Sequence, residues 1–414
     1  MNDVLRNDDI ELYGHRMSEW QQVRPLAHWL VYFDPLTGIA YSHAKYIPED
    51  VQRRLIQKVA FESHSQRAFI IVENNTLTEY KGLTTPYSDL IIAASGQPRG
   101  MLVKEHGERE KRALSDIASR EVHTVKAEYH DVGVALLKRY GSRVEVRPLS
   151  ANEGAEKEPD GERIRYGVLK RWGEDYIPFI RLDLFHNVRH LAVLEDSDHI
   201  ELLSNALARL GRILRTAHEL GIYHCFTHPG NVDAHGNLID YEHAIYRDEI
   251  PALQEYILPP GDIELLTEEQ LRFRDIDLFF SGARDVLKKC QECFNLNREG
   301  LMTQIQFVRE NISLSHGIPV LELLAHLNIG FYEDTLKKLP MKDQRRIIEA
   351  FIATYCTFGD RGKIREYTFA MLAKEREWTE EVSGFIANPE NPEPQRLIPS
   401  ELIFDLWNKP PLKP

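Results

Sequence analysis

The sequence predicts an α+β chain in which a small β-rich lobe precedes a mostly helical one. Short alternating runs rich in β-branched residues, broken by turn residues, crowd residues 63–185. From about residue 200 onward apolar residues recur instead at the three-and-four spacing of buried helix faces. The texture changes near residues 175–190. This divides the 414 residues into an N-terminal extension (1–62), a β-rich lobe (63–185) and a helical lobe (186–414), enough chain for more than one packed core.

Taken in order, Pro48 to Phe61 predicts a helix, because Val51, Leu55, Ile56, Val59 and Ala60 fall on one side at helical spacing. "RAFIIVENNTLTEYKG" then reads as a β-hairpin turning at Asn74-Asn75. "SDLIIAASGQPRGMLVKEH" repeats the pattern with Ser95 to Gly100 as its turn, and "GEREKRALSDIASREV" is the first strong helix. Strands follow at "SRVEVRPL" and "RIRYGVLKRW", on either side of a polar loop without an apolar anchor. "IELLSNALARLGRILRTAHELG" aligns Leu203, Leu207, Leu210, Leu214 and Ala217 in one stripe and stops at Gly221, a helix-terminating glycine. Beyond it, "TEEQLRFRDIDLFFSGARDVLKKCQECF", "GIPVLELLAHLNI" and "KDQRRIIEAFIATYC" have helical spacing, the first opening on a Thr267/Gln270 capping box.

Composition narrows the function. A formal net charge of −13 argues against a general nucleic-acid partner. No apolar run reaches the roughly 18 residues that span a bilayer, and the N-terminus lacks a signal-type apolar region, so the expectation is a cytoplasmic chain. The 4 cysteines suit a reducing compartment, and Cys290 with Cys293 sits in helical sequence with no second pair at zinc spacing.

The chemistry concentrates in "GIYHCFTHPGNVDAHGNLIDYEHA", residues 221–244. His224 is followed seven residues later by Asn231, and Asn231 nine residues later by Asp240, with a turn at His235-Gly236-Asn237. A short hairpin of this kind sets two oxygen ligands side by side, which is what magnesium on nucleotide phosphates requires. The loop at 224–243, behind an amphipathic helix and after a β-rich lobe, is similar to the metal-holding loop of protein-kinase-like bilobal folds. On that likeness Asn231 and Asp240 hold Mg2+, and Asp275 or Asp277 braces the loop from a later helix. Phe226 stands where such loops carry their catalytic carboxylate and can take no proton, which leaves His228 and Asp233 as neighbouring candidates. Phosphates also need a strand lysine paired with a helix carboxylate. Lys81 and Lys104 are the candidates for the first, Glu108 and Glu110 for the second.

"RAFIIVE", "LTEYKGLTTPYSD" and "GMLVKEHGEREKRAL", in that order, resemble the selenoprotein O family of pseudokinases, with Thr85-Pro86-Tyr87-Ser88 the most specific piece. The resemblance implies ATP as cofactor and transfer of AMP, rather than phosphate, to a hydroxyl on a protein or small-molecule acceptor. It implies Lys81 as the ATP-binding lysine, matches Lys104 to an arginine of the family's next strand, and suggests Arg171 and, more weakly, Arg181 as nucleotide contacts. His224, Asn231 and Ile239-Asp240-Tyr241 match its metal pair. The chain departs from the family at Ser65-Gln66-Arg67, which lacks the family's glycines, and at Gly230, where the family has its acidic residue. His228-Pro229-Gly230-Asn231 is closer to aminoglycoside-type phosphotransferases and to the atypical kinases of coenzyme Q biosynthesis. An inactive pseudokinase that only binds nucleotide or a partner is the other reading these departures support.

Overall fold

Side chains alternate across a strand, so the strand-rich part of this chain sorts its residues onto two faces of one sheet. A computed structural model describes residues 28–42, 47, 49–63, 68–73, 76–82, 101–140, 143–149, 161–182, 196–251, 268–280, 330–331 and 335–355, with short pieces at 11–12 and 15–16. The strands are β1 (Glu11–Leu12), β2 (His15–Arg16), β3 (His28–Asp34), β4 (Ile39–Tyr41), β5 (Ile56–Glu62), β6 (Ala68–Glu73) and β7 (Thr76–Lys81). They continue with β8 (Leu102–Val103), β9 (Lys126–Tyr140), β10 (Arg143–Leu149), β11 (Glu162–Trp172), β12 (Ile222–Tyr223) and β13 (Ile245–Tyr246). The helices are α1 (Glu49–Gln52), α2 (Lys104–Ala118), α3 (Asp196–Glu219), α4 (Glu268–Phe280) and α5 (Met341–Tyr355).

Among the described residues one antiparallel sheet runs β10-β9-β11-β7-β6-β5-β3-β4, with β8 adding to β11. It is a mixed architecture of a strand-rich region and helices. The sheet extends across residue 62, since β3, β4 and β5 belong to it. The helix expected over 48–61 is therefore a four-residue helix, α1, followed by strand β5. Pairing of Phe61 with Ile70 and of Ala60 with Trp29, against the helical apolar spacing, selected the strand. Strands β6 and β7 pair antiparallel as expected, with Glu73 opposite Thr76, residues 74–75 themselves lying outside the described residues. Lys104 ends no strand: it opens α2 directly after β8.

Register decides what each face carries. Phe69 faces Tyr80 and Ile70 faces Glu79 across β6 and β7. One side thus buries Phe69, Ile71 and Tyr80 with Val31, Tyr166 and Val168. The other turns Ile70 and Leu77 toward Ala113, Leu114 and Ile117 of α2, in a core continuous with the helical part of the chain. Glu79 and Lys81 alternate with Tyr80 and share that second side. In the helical part, Leu203, Leu207, Leu210, Leu214 and Ala217 form the expected buried stripe of α3, packed in one core with Ile347, Phe351 and Ile352 of α5. Gly221, at φ +73°, takes the left-handed conformation that ends α3. No helix among the described residues is long and apolar enough to cross a membrane. The Ser95–Gly100 turn, Thr85 to Ser88, Thr267, and the Cys290/Cys293 pair lie outside the described residues.

Candidate functional site

The buried stripe of α2 is interrupted by a carboxylate. His106, Glu110, Ala113, Leu114 and Ile117 follow one another at helical spacing and are all buried. A carboxylate on an apolar stripe persists only with partners, and Glu110 has three. Its Oε1 accepts from Arg171 Nη1 at 2.9 Å and from the backbone N–H of Asp240 at 2.9 Å, while Oε2 lies 3.4 Å from Lys81 Nζ. Strand register supplies the cations: β11 sets Leu169 opposite Lys81 and Arg171 opposite Glu79, so Lys81, Glu79 and Arg171 share one face of the sheet.

Lys81 is the hub. The residue is 2% exposed, and its ammonium bonds Asp240 Oδ1, lies 2.9 Å from Glu242 Oε2, and completes the Glu110 pair. Beside it, Glu79 accepts from Ser63 and from the Tyr176 hydroxyl, and lies 3.0 Å from Arg171 Nε and 3.3 Å from Arg181 Nη2. Burial works against the charge on Glu79. The two guanidiniums and two hydroxyl donors outweigh it and hold the carboxyl below its usual range. Burial likewise opposes the charge on Arg171, and Glu110 and Glu79 more than restore it.

The loop after α3 is held from beneath by Asp275 of α4, which is fully buried. Its Oδ2 accepts from the backbone N–H of His224 at 2.8 Å and from His218 Nε2 at 3.0 Å. Its Oδ1 accepts from the N–H of Cys225 at 2.6 Å and from the Thr227 hydroxyl at 3.1 Å. Of the two aspartates offered by the sequence, this is the brace. Above it His224 donates from Nε2 to the Ile239 carbonyl at 2.7 Å and accepts at Nδ1 from the N–H of Phe226 at 3.1 Å. It thereby ties the chain at Phe226 to Ile239, next to Asp240. Burial holds its pKa below 6.5, against the pull of Asp275, so the ring is neutral.

The hairpin closes through Asp233, which accepts from the backbone N–H groups of His235 and Asn237, from the Asn237 amide and from the N–H of Ile177. Burial nevertheless raises its pKa to about 6. Gly236 turns the loop at φ +83°, where a Cβ would stand 1.9 Å from the Ala206 carbonyl oxygen of α3. Leu182 N–H donates to Val232 O at 2.9 Å, and Ala234 N–H to Ile180 O at 3.0 Å, which fixes the chain after β11 against the same hairpin.

At the head of the loop, Asn231 donates its amide to the Phe226 carbonyl at 3.0 Å, so Oδ1 is the atom it retains for a cation. Asp240 adopts φ +73°, a left-handed conformation that aspartate tolerates better than most residues, with its side chain 22% exposed. His228 caps the turn Pro229–Asn231 by accepting the Gly230 N–H at Nδ1. That bond occupies Nδ1 and fits the tautomer protonated on Nε2, in which His228 donates from that nitrogen. Phe226 is buried and sets its ring edge-on to His228 at 4.8 Å.

Lys81, Glu110, Arg171 and Asp240 are thus brought together, and Arg181 joins through Glu79. Lys104 and Glu108 are not: they form an i,i+4 pair at 3.5 Å on the exposed side of α2. Sequence reasoning missed Glu79, Tyr176 and Glu242. Glu79 was findable, because it lies two residues before Lys81 and so on the same side of its strand.

A scan of family models and a search of curated proteins each find no match to this chain. Among solved structures, "WaaP in complex with acyl carrier protein" aligns over 61% of this chain and 86% of that chain at 15% identity, with a TM-score of 0.26. That score carries no argument about fold or activity, and the functional reading rests on the residues themselves.

Proposed function

We propose that the chain is a kinase-like transferase that binds ATP with Mg2+ and moves AMP, or less favourably phosphate, to a hydroxyl acceptor. The observation that carries this reading is the buried Lys81–Glu110 pair set directly against Asp240. A strand lysine fixed by a helix glutamate is the cation that kinase-like folds aim at nucleotide phosphates. Asp240 and the Oδ1 of Asn231, one at each end of the hairpin, are the oxygen ligands for magnesium. Arg171 and Arg181 add positive potential behind Lys81. Nucleotide entry exchanges the direct Lys81–Asp240 bond for a phosphate and a metal ion, so the pair acts as a placeholder that keeps both charges satisfied in their absence.

Catalysis here would come from positioning and charge neutralisation, since Phe226 handles no proton and His228 is committed as a donor. A protonated Nε2 suits His228 to a developing negative charge on a phosphoryl oxygen. The buried Phe226 favours one second reading, a pseudokinase that binds nucleotide without turning it over.

The test is incubation of purified protein with Mg2+ and ATP labelled on the α- or the γ-phosphate, alongside thermal shift. AMP transfer predicts incorporation of α-label with a magnesium-dependent rise in melting temperature, both lost in Asp240→Ala. γ-Label incorporation identifies phosphate transfer, and a shift without label identifies the pseudokinase. No shift at millimolar ATP, with Asp240→Ala behaving as the parent, removes the nucleotide site.

A further inference from the structure

A second constellation sits behind Lys81, on the far side of Glu242. His106 of the first turn of α2, with Glu242 and His243 of the short turn after Asp240, bring two imidazole nitrogens and a carboxylate oxygen within 4.8 Å of one another, all buried. His243 Nε2 is already 3.4 Å from Glu242 Oε1, and the two imidazole rings meet edge-on at 5.0 Å. In a tetrahedral site with metal–ligand bonds near 2.0–2.2 Å, ligand atoms stand about 3.4 Å apart. One edge of the triangle has that length and none exceeds 4.8 Å, so the others close by at most about 1.4 Å, within reach of side-chain rotation.

We propose that His106, Glu242 and His243 form a binding site for a borderline divalent cation of the zinc class, separate from any magnesium at Asn231 and Asp240. Donor chemistry favours this assignment: two imidazoles and one carboxylate suit zinc, whereas magnesium takes oxygen donors and keeps its waters. Glu242 divides its oxygens between two tasks, with Oε1 toward His243 and Oε2 at 2.9 Å from Lys81 Nζ. Lys81 thereby orients the carboxylate as an outer-shell partner orients a metal ligand. The local charge balance also admits a cation. Among the described ion pairs, Glu79, Glu110, Asp240 and Glu242 face Lys81, Arg171 and Arg181, one carboxylate more than cations.

The consequence is mechanical. Several contacts already join α2 to the segment after the hairpin: Glu110 to the Asp240 N–H, Arg109 to the Ala244 carbonyl at 2.8 Å and to Glu249, and Arg112 over the Tyr246 ring at 4.0 Å. A metal on His106, Glu242 and His243 adds a further clasp, fixing α2, and with it Glu110, against Asp240.

The experiment uses the full-length protein dialysed against a chelator, then titrated with Co2+ and, in competition with a chromophoric chelator, with Zn2+. The proposal expects one equivalent of Co2+ with the intense visible absorption of four-coordinate nitrogen–oxygen ligation, displaced by Zn2+ and not by millimolar Mg2+. His106→Asn and His243→Asn should each weaken Zn2+ binding about 100-fold or more. Parent protein with only the weak spectrum of six-coordinate cobalt, or folded variants that retain full affinity, overturns it. If the variants do not fold, the parent's cobalt spectrum and stoichiometry decide alone. None of these readouts involves ATP, so this site stands or falls independently of the nucleotide reading.

Discussion

Asp275→Asn removes a charge from beneath the loop while keeping the side chain's shape. In the parent one oxygen serves the His224 N–H and His218, and the other serves the Cys225 N–H and the Thr227 hydroxyl. An asparagine keeps one oxygen. Placed toward His224 and His218, it turns its NH2 group on the Cys225 N–H, while the Thr227 hydroxyl can rotate to accept. The net loss is one buried bond to a carboxylate, about 1.5–3 kcal/mol, and the charge that strengthened the remaining ones. Asp275→Ala removes every acceptor and strands two backbone N–H groups and the His218 ring. At about 1–3 kcal/mol each, and with water entering the vacated space to relieve part of it, the cost is about 4–5 kcal/mol. Urea unfolding at pH 7.5, followed by far-ultraviolet circular dichroism, should rank parent, Asn and Ala in that order with a clear gap at each step. The pH dependence adds a second check. Burial opposes the Asp275 charge, but His218, His224 and the backbone donors hold its pKa below 3.8. The carboxylate therefore contributes stability above that pH that is lost as pH falls through its folded value. The Asn variant should lose that part of the acid transition. An Asn variant within about 0.5 kcal/mol of the parent, or one as unstable as Ala, refutes the brace.

Three further outcomes are expected. Lys81→Met leaves Glu242 and Asp240 without their shared cation and should destabilise by about 3–5 kcal/mol in the same melts. Glu242→Gln in that background should recover at least about 1 kcal/mol, read as a double-mutant coupling. Gly236→Ala combines a left-handed φ of +83° with a Cβ 1.9 Å from the Ala206 carbonyl and should cost more than about 2 kcal/mol. Gly173→Ala, whose Cβ meets nothing nearer than 3.4 Å, should stay within about 0.5 kcal/mol of the parent. Burial holds the pKa of both His224 and His235 below 6.5, so each contributes stability above that pH that is lost as pH falls through its folded value. Asp233, whose buried carboxyl is raised to about 6, works the other way by shedding its charge as pH falls, so the variant is compared with the parent. Between pH 8 and pH 5 the urea midpoint of His224→Gln, although lower throughout, should decline less than the parent's.

What was legible in the sequence was local pattern, and what was not was pairing. The β6–β7 hairpin, the α3 stripe and the Gly221 stop are set by neighbours within a turn or two, and alternation alone puts Lys81 on the face opposite Tyr80. The helical spacing of Val51, Leu55, Ile56, Val59 and Ala60 does not foretell strand β5, because the last three pair with β3 on one side of the strand while Phe61 pairs with β6 on the other. Strand β9 escaped because "KAEYHDVGVALLKRY" carries charges and a central glycine, and its partners β10 and β11 lie later in the chain. The site divides the same way. Asp275 was visible as a helical aspartate at the right distance from the loop, and Glu110 as a carboxylate among apolar residues. Lys104 stands apart from the Lys81 cluster because the helix begins at that residue and its side chain pairs with Glu108.

The same logic bears on Phe226. If this loop were a kinase loop damaged by one substitution, the ring should lie loose in a site shaped for a carboxylate. Instead Phe226 is 6% exposed, its N–H is held by His224, its carbonyl holds the Asn231 amide, and its ring packs edge-on to His228. His228 in turn spends Nδ1 on the Gly230 N–H. The Phe226 carbonyl holds Asn231, while the Phe226 N–H and His228 Nδ1 are engaged in the loop's own turns. The loop is therefore built around the phenylalanine. Restoring an aspartate there would put a carboxylate into the space of a buried ring, without recreating a base. On the proposed reading, chemistry at this site draws on the charges around Lys81, the Nε2–H of His228 and the oxygens of Asn231 and Asp240.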